Sequence, residues 1–184
     1  GDVPAGATDR EFGNSTERML RMNLHPVLAA GRAASHYMAE QGLFVAIGAA
    51  AALTPTPSMS AYGLSKAAVH HYIQTLGALC GTTSLGASSM YKRQAKAIRK
   101  GAPYLDELTA TAILPNVIDT PANRESFPNN TDYSQWVKPE KIAKEIGRWI
   151  VRPRLRPHSG SLVKALPPRG HEGVEKGAFF QLVR

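Results

Sequence analysis

The chain contains three stretches in which apolar residues recur every three or four positions, the period of an α-helix with one face against a core. These stretches run from about Met19 to Glu40, from Ala61 to Cys80 and from Pro139 to Val151. Helix-start residues occur at Ser15–Glu17, so residues 1–13 are predicted to form a loop. Pro26 interrupts the first stretch, and we expect a kink or a new helix start there.

Short apolar runs without helical spacing lie between these stretches. Leu43–Ile47 and Thr109–Leu114 predict strands buried on both faces, and Ser161–Val163 is a third strand candidate. The alternation of helices and strands predicts parallel strands joined by crossover helices, an α/β sheet. Residues 48–57 are predicted to be linker and loop, and residues 120–132 a polar loop.

Composition is consistent with one globular domain over residues 1–184, in which residues 81–108 form a basic, irregular insertion. Cys80 is the sole cysteine, which excludes an intrachain disulfide and a multi-cysteine zinc site. The longest apolar run, Gly42–Leu53, is shorter than the roughly 18 residues that a membrane span needs. No leader pattern is visible, so we expect a cytoplasmic protein without a membrane partner.

The chain is basic, with 22 Lys and Arg against 14 Asp and Glu, a formal net charge of +8. Such an excess permits attraction to phosphates without selecting among their sources. Aromatic residues are only 7% and are not interleaved with the basic clusters. We therefore expect a solvated basic face rather than nucleic-acid binding.

Tyr62-Gly63-Leu64-Ser65-Lys66 carries the clearest chemistry. Residues four apart share a helix face, so Tyr62 and Lys66 are predicted to face one ligand. A nearby cation favours the tyrosinate, and we expect it to lower the pKa of Tyr62 toward the range of a general acid or base. The spacing alone also fits an ordinary surface pair. Its position after a buried strand and a small-residue linker favours the catalytic interpretation.

The order of motifs resembles the short-chain dehydrogenase/reductase superfamily, and within it the quinonoid dihydropteridine reductase branch. The matching segments are Gly42–Ala49, Tyr62–Lys66 followed by Ala67, Val69 and His70, Leu114–Arg124 with Ser126, Pro128 and Trp136 beyond it, and Gly160–Val163. The resemblance implies a Rossmann-like, doubly wound parallel sheet in a three-layer αβα arrangement. It also implies a homodimer that forms through the two long helices, Met19–Glu40 and Ala61–Cys80. The implied cofactor is NADH, with NADPH as the alternative.

The same resemblance assigns roles residue by residue. Tyr62 would deliver a proton, Lys66 would hold the nicotinamide ribose and tune Tyr62, and Asn23 would support a water chain to the lysine. A solvent-facing polar residue is the other interpretation of Asn23. Residues expected to line the cofactor, besides Tyr62 and Lys66, are Gly48, Ala49, Pro115, Asn116, Val117 and Thr120. His70 and His71 are interpreted as structural or interfacial, because no metal-ligand spacing surrounds them.

Ala49 departs from the general family pattern. Carbonyl-reducing members place a serine about a dozen residues before the tyrosine, and Ala49 lies thirteen before Tyr62. A carbonyl gathers negative charge and needs a donor there, whereas an electron-poor quinonoid dihydropterin needs less polarisation. The resemblance therefore implies reduction of quinonoid dihydropterin to its tetrahydro form. A carbonyl or pteridine reductase and a non-catalytic nucleotide-binding or scaffold relative are the alternatives.

The family's opening strand and glycine-rich phosphate turn, Gly-x-x-x-Gly-x-Gly, do not occur in this sequence. The first residues already resemble the loop after the family's fourth strand. We therefore expect the N-terminal nucleotide-binding half, with the acidic residue that selects NADH over NADPH, to be absent from this chain and to precede Gly1 in the full protein.

Overall fold

A computed structural model describes residues 8–80, 108–166 and 179–183. Its helices are α1 (Asp9–Asn23), α2 (His25–Tyr37), α3 (Ser60–Leu79), α4 (Pro121–Glu125) and α5 (Pro139–Val151). Its strands are β1 (Leu43–Ile47), β2 (Thr109–Pro115), β3 (Leu162–Leu166) and β4 (Phe179–Leu182). The predicted insertion lies outside the described residues except for Leu108, which is buried.

The four strands form one sheet in the order β1-β2-β3-β4. β1, β2 and β3 are parallel, with Ile47 opposite Ile113 and Ile113 opposite Val163. This confirms the predicted α/β sheet with crossover connections. β4 was not predicted; it runs antiparallel to β3 and pairs Phe180 with Ala165.

Successive side chains of β2 point to opposite faces of the sheet, and each face has its own core. Ala112 and Leu114 pack with Val69 and Ile73 of α3 on one face. Ile113 lies on the other face in a cluster that includes Ile142 and Trp149 of α5, and Trp149 is 2% exposed. Helices therefore cover both faces, and the three-layer αβα arrangement is confirmed.

β1 is less buried than the sequence predicted. Leu43, Phe44 and Val45 are half-buried, and Ile47 is 37% exposed. Within the described part of the chain β1 pairs with β2 alone, so only one of its edges is covered. The expectation of a strand buried on both faces is therefore wrong for β1 and right for β2, where every residue from Ala110 to Pro115 is buried.

The first helix begins earlier than predicted. Thr8 and Glu11 form a capping box, in which the Glu11 carboxylate accepts from the Thr8 amide at 2.8 Å and the Thr8 hydroxyl accepts from the Glu11 amide at 3.4 Å. Residues 9–13 are therefore helical rather than loop. Pro26 resets the helix as expected, because α1 ends at Asn23 and Pro26 lies in the first turn of α2.

Two glycines bring α3 against the segment that leads into β3. A Cβ on Gly77 would overlap the backbone of Gly160, so the two chain segments are in direct backbone contact. Gly160 has a φ of +87°, a conformation that suits glycine. This contact fixes the C-terminal half of α3 against the sheet. No helix in the described ranges is long and apolar enough to cross a membrane.

Candidate functional site

Tyr62 and Lys66 lie on the first two turns of α3, and both side chains are half-buried. The helix begins directly after a short 3-10 turn, Pro57–Met59. Gly63 permits this close entry, because a Cβ there would overlap the Thr56 hydroxyl. The predicted pair therefore sits at a helix start that is packed against the linker after β1.

Lys66 reaches the end of β1. Its Nζ donates to the carbonyl oxygen of Ile47, the last residue of that strand, at 3.0 Å. Burial lowers the pKa of Lys66 from its ordinary value. The lysine therefore places a polar donor at the carboxyl end of the sheet, where ligands bind in open α/β folds.

The pKa of Tyr62 shifts in the direction opposite to the one expected. Sequence reasoning predicted that the cation of Lys66 would lower it, but burial raises the pKa of the Tyr62 phenol. Desolvation disfavours the tyrosinate, and this effect dominates. The phenol is therefore held in its protonated form.

Asn23 is the last residue of α1 and connects that helix to α3. Its Nδ2 donates to the Ser65 hydroxyl at 3.0 Å, and that hydroxyl donates to the Tyr62 carbonyl at 2.7 Å. Ser65 is fully buried, so these two bonds lie within the protein. Asn23 thus supports the backbone of the turn that carries Tyr62. Its expected role in a water chain to Lys66 stays a prediction.

Gly48 and Ala49 continue from β1 and are both buried. The Gly48 amide donates to the Ile113 carbonyl at 2.8 Å, which extends the pairing with β2 by one residue. The Ala49 amide donates to Nε2 of His70 at 3.1 Å. His70 was interpreted as structural or interfacial, and this contact with a predicted site residue was missed. The signal available was its position four residues after Lys66, on the same helix face.

The segment after β2 begins at the same edge of the sheet, because β1 and β2 are parallel and in register. Pro115 is buried as the last residue of β2, Asn116 is exposed, and the Val117 carbonyl accepts from the Val137 amide at 2.8 Å. The Thr120 hydroxyl accepts from the Asn123 amide at 3.2 Å and so caps α4. The structure therefore brings this segment and the Gly48–Ala49 turn to one sheet edge.

Residues 120–132 were predicted to be a polar loop. This prediction is wrong in part, because Pro121–Glu125 forms helix α4. Arg124 makes a bidentate pair with Asp119, at 2.6 and 2.9 Å, and lies over the ring of Tyr133 at 4.4 Å. Tyr133 and Phe127 both pack edge-on against Trp136, which is buried. This small aromatic cluster gives the segment its own local core, which the polar composition did not indicate.

Within the part of the chain that the structure describes, no group of three or more His, Cys, Asp or Glu side chains could hold a metal ion.

Comparison with known proteins bears on the family of this chain. Residues 5–91 match the family model described as short chain dehydrogenase. A dihydropteridine reductase from Dictyostelium discoideum is 32% identical over 158 residues, which cover 86% of this chain and 59% of that relative. The chain belongs to the short-chain dehydrogenase/reductase superfamily. Within that superfamily it resembles dihydropteridine reductase, as its motifs predicted.

Solved structures share the fold at lower identity. A short-chain dehydrogenase/reductase from Burkholderia xenovorans superimposes with a TM-score of 0.57 at 19% identity, over 89% of this chain and 58% of that protein. A short-chain dehydrogenase from Burkholderia cenocepacia, solved with NADP, gives 0.57 at 21%, over 88% of this chain and 58% of that protein. The chain thus spans less than two thirds of the length of these relatives.

Proposed function

We propose that the full protein is a nicotinamide-dependent reductase that converts quinonoid dihydropterin to its tetrahydro form. The single observation that carries this proposal is Ala49, which lies two residues beyond β1 and next to the helix of Tyr62 and Lys66. Its methyl group offers no hydroxyl to a substrate oxygen, and its amide already donates to His70. The 32% identity to a dihydropteridine reductase supports the same substrate.

Tyr62 is the proton donor in this proposal. Burial keeps the phenol protonated near neutral pH, as a general acid requires. The hydrogen bonds of Ser65 and Asn23 hold the backbone of the turn that carries Tyr62, and so they fix the position from which its side chain extends. After it releases its proton to the reduced pterin, Tyr62 regains one from solvent.

The residues at the sheet edge fit a nicotinamide nucleoside. An ammonium has three N–H donors, and Lys66 uses one of them on the Ile47 carbonyl, so it retains donors for ribose hydroxyls. Gly48 has no side chain, and Asn116 is exposed at the neighbouring strand end. The residues that would line the nicotinamide nucleoside are Lys66, Gly48, Ala49, Pro115, Asn116, Val117 and Thr120. When bound, reduced nicotinamide supplies a hydride.

The overall reaction balances as one hydride and one proton. The pterin ring accepts the hydride at its conjugated C=N system and a proton at nitrogen, and it recovers a stable pyrimidine ring. The phenol of Tyr62 provides the proton, and Lys66 orients the sugar. No donor to a carbonyl oxygen is required, which agrees with an alanine at position 49.

The test is substrate preference in the full-length protein. We expect kcat/KM for quinonoid dihydropterin to exceed that for simple ketones and aldehydes by at least ~10²-fold, a gap of about 2.7 kcal/mol. Ala49→Ser should raise carbonyl reduction more than pterin reduction. Ala52→Ser, in the half-buried turn that follows Ala49, is the matched control. It should leave the ratio of carbonyl reduction to pterin reduction unchanged. Equal activity on both substrate classes would favour a general carbonyl reductase, and no turnover of either would favour a scaffold.

We also propose a homodimer that forms through α1, α2 and α3. No residue of α1 is buried, and Phe12 and Met22 on it are 49% and 61% exposed. These two side chains are available to a partner, and the family resemblance is what favours α1 over other helices as the interface. Sedimentation of the full protein should give twice the subunit mass, and Met22→Glu should shift it toward monomer. Ile150→Glu, at an exposed apolar position on α5, should leave the dimer intact.

A further inference from the structure

The amide of Ala49 is a buried donor whose acceptor comes from a distant part of the chain. Ala49 is 3% exposed and His70 is 5% exposed, and the bond from the amide to Nε2 measures 3.1 Å. A buried backbone N–H that lacks a partner is strongly unfavourable. The turn after β1 therefore depends on this side chain of α3 for its hydrogen bonding.

The imidazole also packs directly on the backbone of the turn. A Cβ added to Gly48 would lie 2.5 Å from Nε2 of His70 and 2.7 Å from its Cδ2. Real Cβ atoms do not approach that closely, so the close contact requires glycine at position 48. Hydrogen bond and packing together define one position for the Gly48–Ala49 turn relative to α3.

The contact defines the state of the imidazole. Because Nε2 accepts a hydrogen bond from the Ala49 amide, the neutral ring carries its own hydrogen on Nδ1. Burial and the charge of Lys66 lower the pKa of His70 to about 4. His71 and His158 line the same cavity as His70, and neither is buried. The ring therefore remains an acceptor throughout the neutral range.

Lys66 and His70 are four residues apart and hold the two sides of Gly48. Lys66 donates to the carbonyl of Ile47, before Gly48, and His70 accepts from the amide of Ala49, after it. Tyr62 lies on the same face of α3, one turn before Lys66. The distance from the Tyr62 phenol to the end of β1 is thus determined by two side chains of one helix.

We propose that His70 is a positioning residue of the reductase site: it fixes the Gly48–Ala49 turn, which forms the floor of the site, at a set distance from Tyr62. His70 acts through the backbone of Ala49 and does not contact the substrate. The kinetic expectation rests on the proposed reductase function, whereas the structural expectation does not.

The kinetic test compares two replacements of His70 in the full-length protein. His70→Phe keeps a ring and removes the acceptor, and we expect kcat for quinonoid dihydropterin to fall about tenfold to a hundredfold, with KM for the nicotinamide changed less than about threefold. His70→Gln places an amide oxygen near the position of Nε2 and should restore kcat to within about threefold of the parent.

The control is Ile73→Val, which removes a methyl group from a fully buried position on the same helix without touching the turn. It destabilises the core but should leave kcat unchanged in folded protein. Assays are run well below the unfolding midpoint of each variant. A folded His70→Phe protein with parental kcat, or an equal fall in His70→Phe and Ile73→Val, would overturn the proposal.

A second measurement does not require turnover. We expect the Ala49 amide to exchange its hydrogen at least about tenfold faster in His70→Phe than in the parent, and at near-parental rates in His70→Gln. Unchanged Ala49 exchange in His70→Phe would refute the positioning contact. If no variant or parent reduces pterin while this contrast in exchange holds, the proposed function fails and the contact stands.

Discussion

The carboxyl ends of β1 and β2 lie side by side at one sheet edge, yet they are held in different ways. The end of β1 is held by side chains from α3, namely Lys66 on Ile47 and His70 on Ala49. The segment after β2 is held by the Thr120 cap, by the Asp119–Arg124 pair and by backbone bonds to Val137. The first end is therefore tied to the helix that bears Tyr62, whereas none of these contacts of the second end involves that helix.

Tyr62→Phe is expected to have the largest effect. Loss of a general acid lowers kcat by ~10²–10⁴-fold, while nicotinamide affinity should stay near the parental value. Steady-state kinetics of the full protein together with a binding titration measure both quantities. A kcat equal to that of the parent across the pH range would remove Tyr62 from the mechanism. The contacts between the end of β1 and the Tyr62 helix would then have no expected effect on catalysis.

Gly48→Ala tests how tightly the end of β1 is packed. The new methyl group would meet the His70 ring, so we expect a loss of about 1–3 kcal/mol in the free energy of unfolding, measured with urea. Gly147→Ala in α5 is the matched control, because nothing lies within 4 Å of a Cβ there. The control should stabilise the protein by roughly 0.5–1 kcal/mol. Equal effects of the two changes would show that the turn has room to relax.

Stability should also depend on pH through His70. Its pKa is about 4 when folded and near 6.5 when unfolded, so the unfolded chain binds the extra proton between these values. The free energy of unfolding should therefore rise with pH from 4 to 6.5, by about 1–3 kcal/mol, and then level off. Urea titrations at several pH values measure this slope. His70→Gln should flatten it, and an identical slope in that variant would assign the dependence to other groups.

Asp119→Asn should have the smallest effect. The Arg124 guanidinium lowers the pKa of this carboxyl, so its contribution is present above the ordinary aspartate pKa and is lost as the pH falls through the lower folded value. The pair lies at the surface, where such pairs add little stability. We expect an unfolding midpoint close to the parental one and a kcat within about twofold. A large fall in kcat would show that the segment after β2 is as closely coupled to Tyr62 as the end of β1.

Local signals in the sequence predicted much of the molecule. Continuous apolar runs located β1 and β2, and helical spacing located α3 and α5 to within one residue. The start of α1 was missed although Thr8 and Glu11 have the spacing of a capping box. β4 was missed because a four-residue strand becomes recognisable only through its antiparallel partner.

The candidate site divides in the same way. The spacing of Tyr62 and Lys66 is a local property and was readable. The acceptor for Ala49 lies 21 residues further along the chain. The position of His70 four residues after Lys66 indicates its helix face, but it does not indicate that the ring meets the Ala49 amide. The predicted direction of the shift in the Tyr62 pKa was wrong. The charge of Lys66 can be read from the sequence, whereas the burial that raises this pKa depends on the packed structure.

Three contacts along α3 have a consequence for engineering. Gly63 meets Thr56, His70 meets Gly48, and Gly77 meets Gly160, so close packing recurs at intervals of seven residues, two helical turns. Together they span roughly 21 Å of the helix axis. A sliding or rotating α3 would break all three at once, which makes helix motion an unsuitable means of admitting larger substrates. A designer who wishes to widen the acceptor range should keep this helix unchanged and vary exposed positions between Asn116 and Asp132. Tyr133, Trp136 and Val137 should be kept, because this segment packs on them.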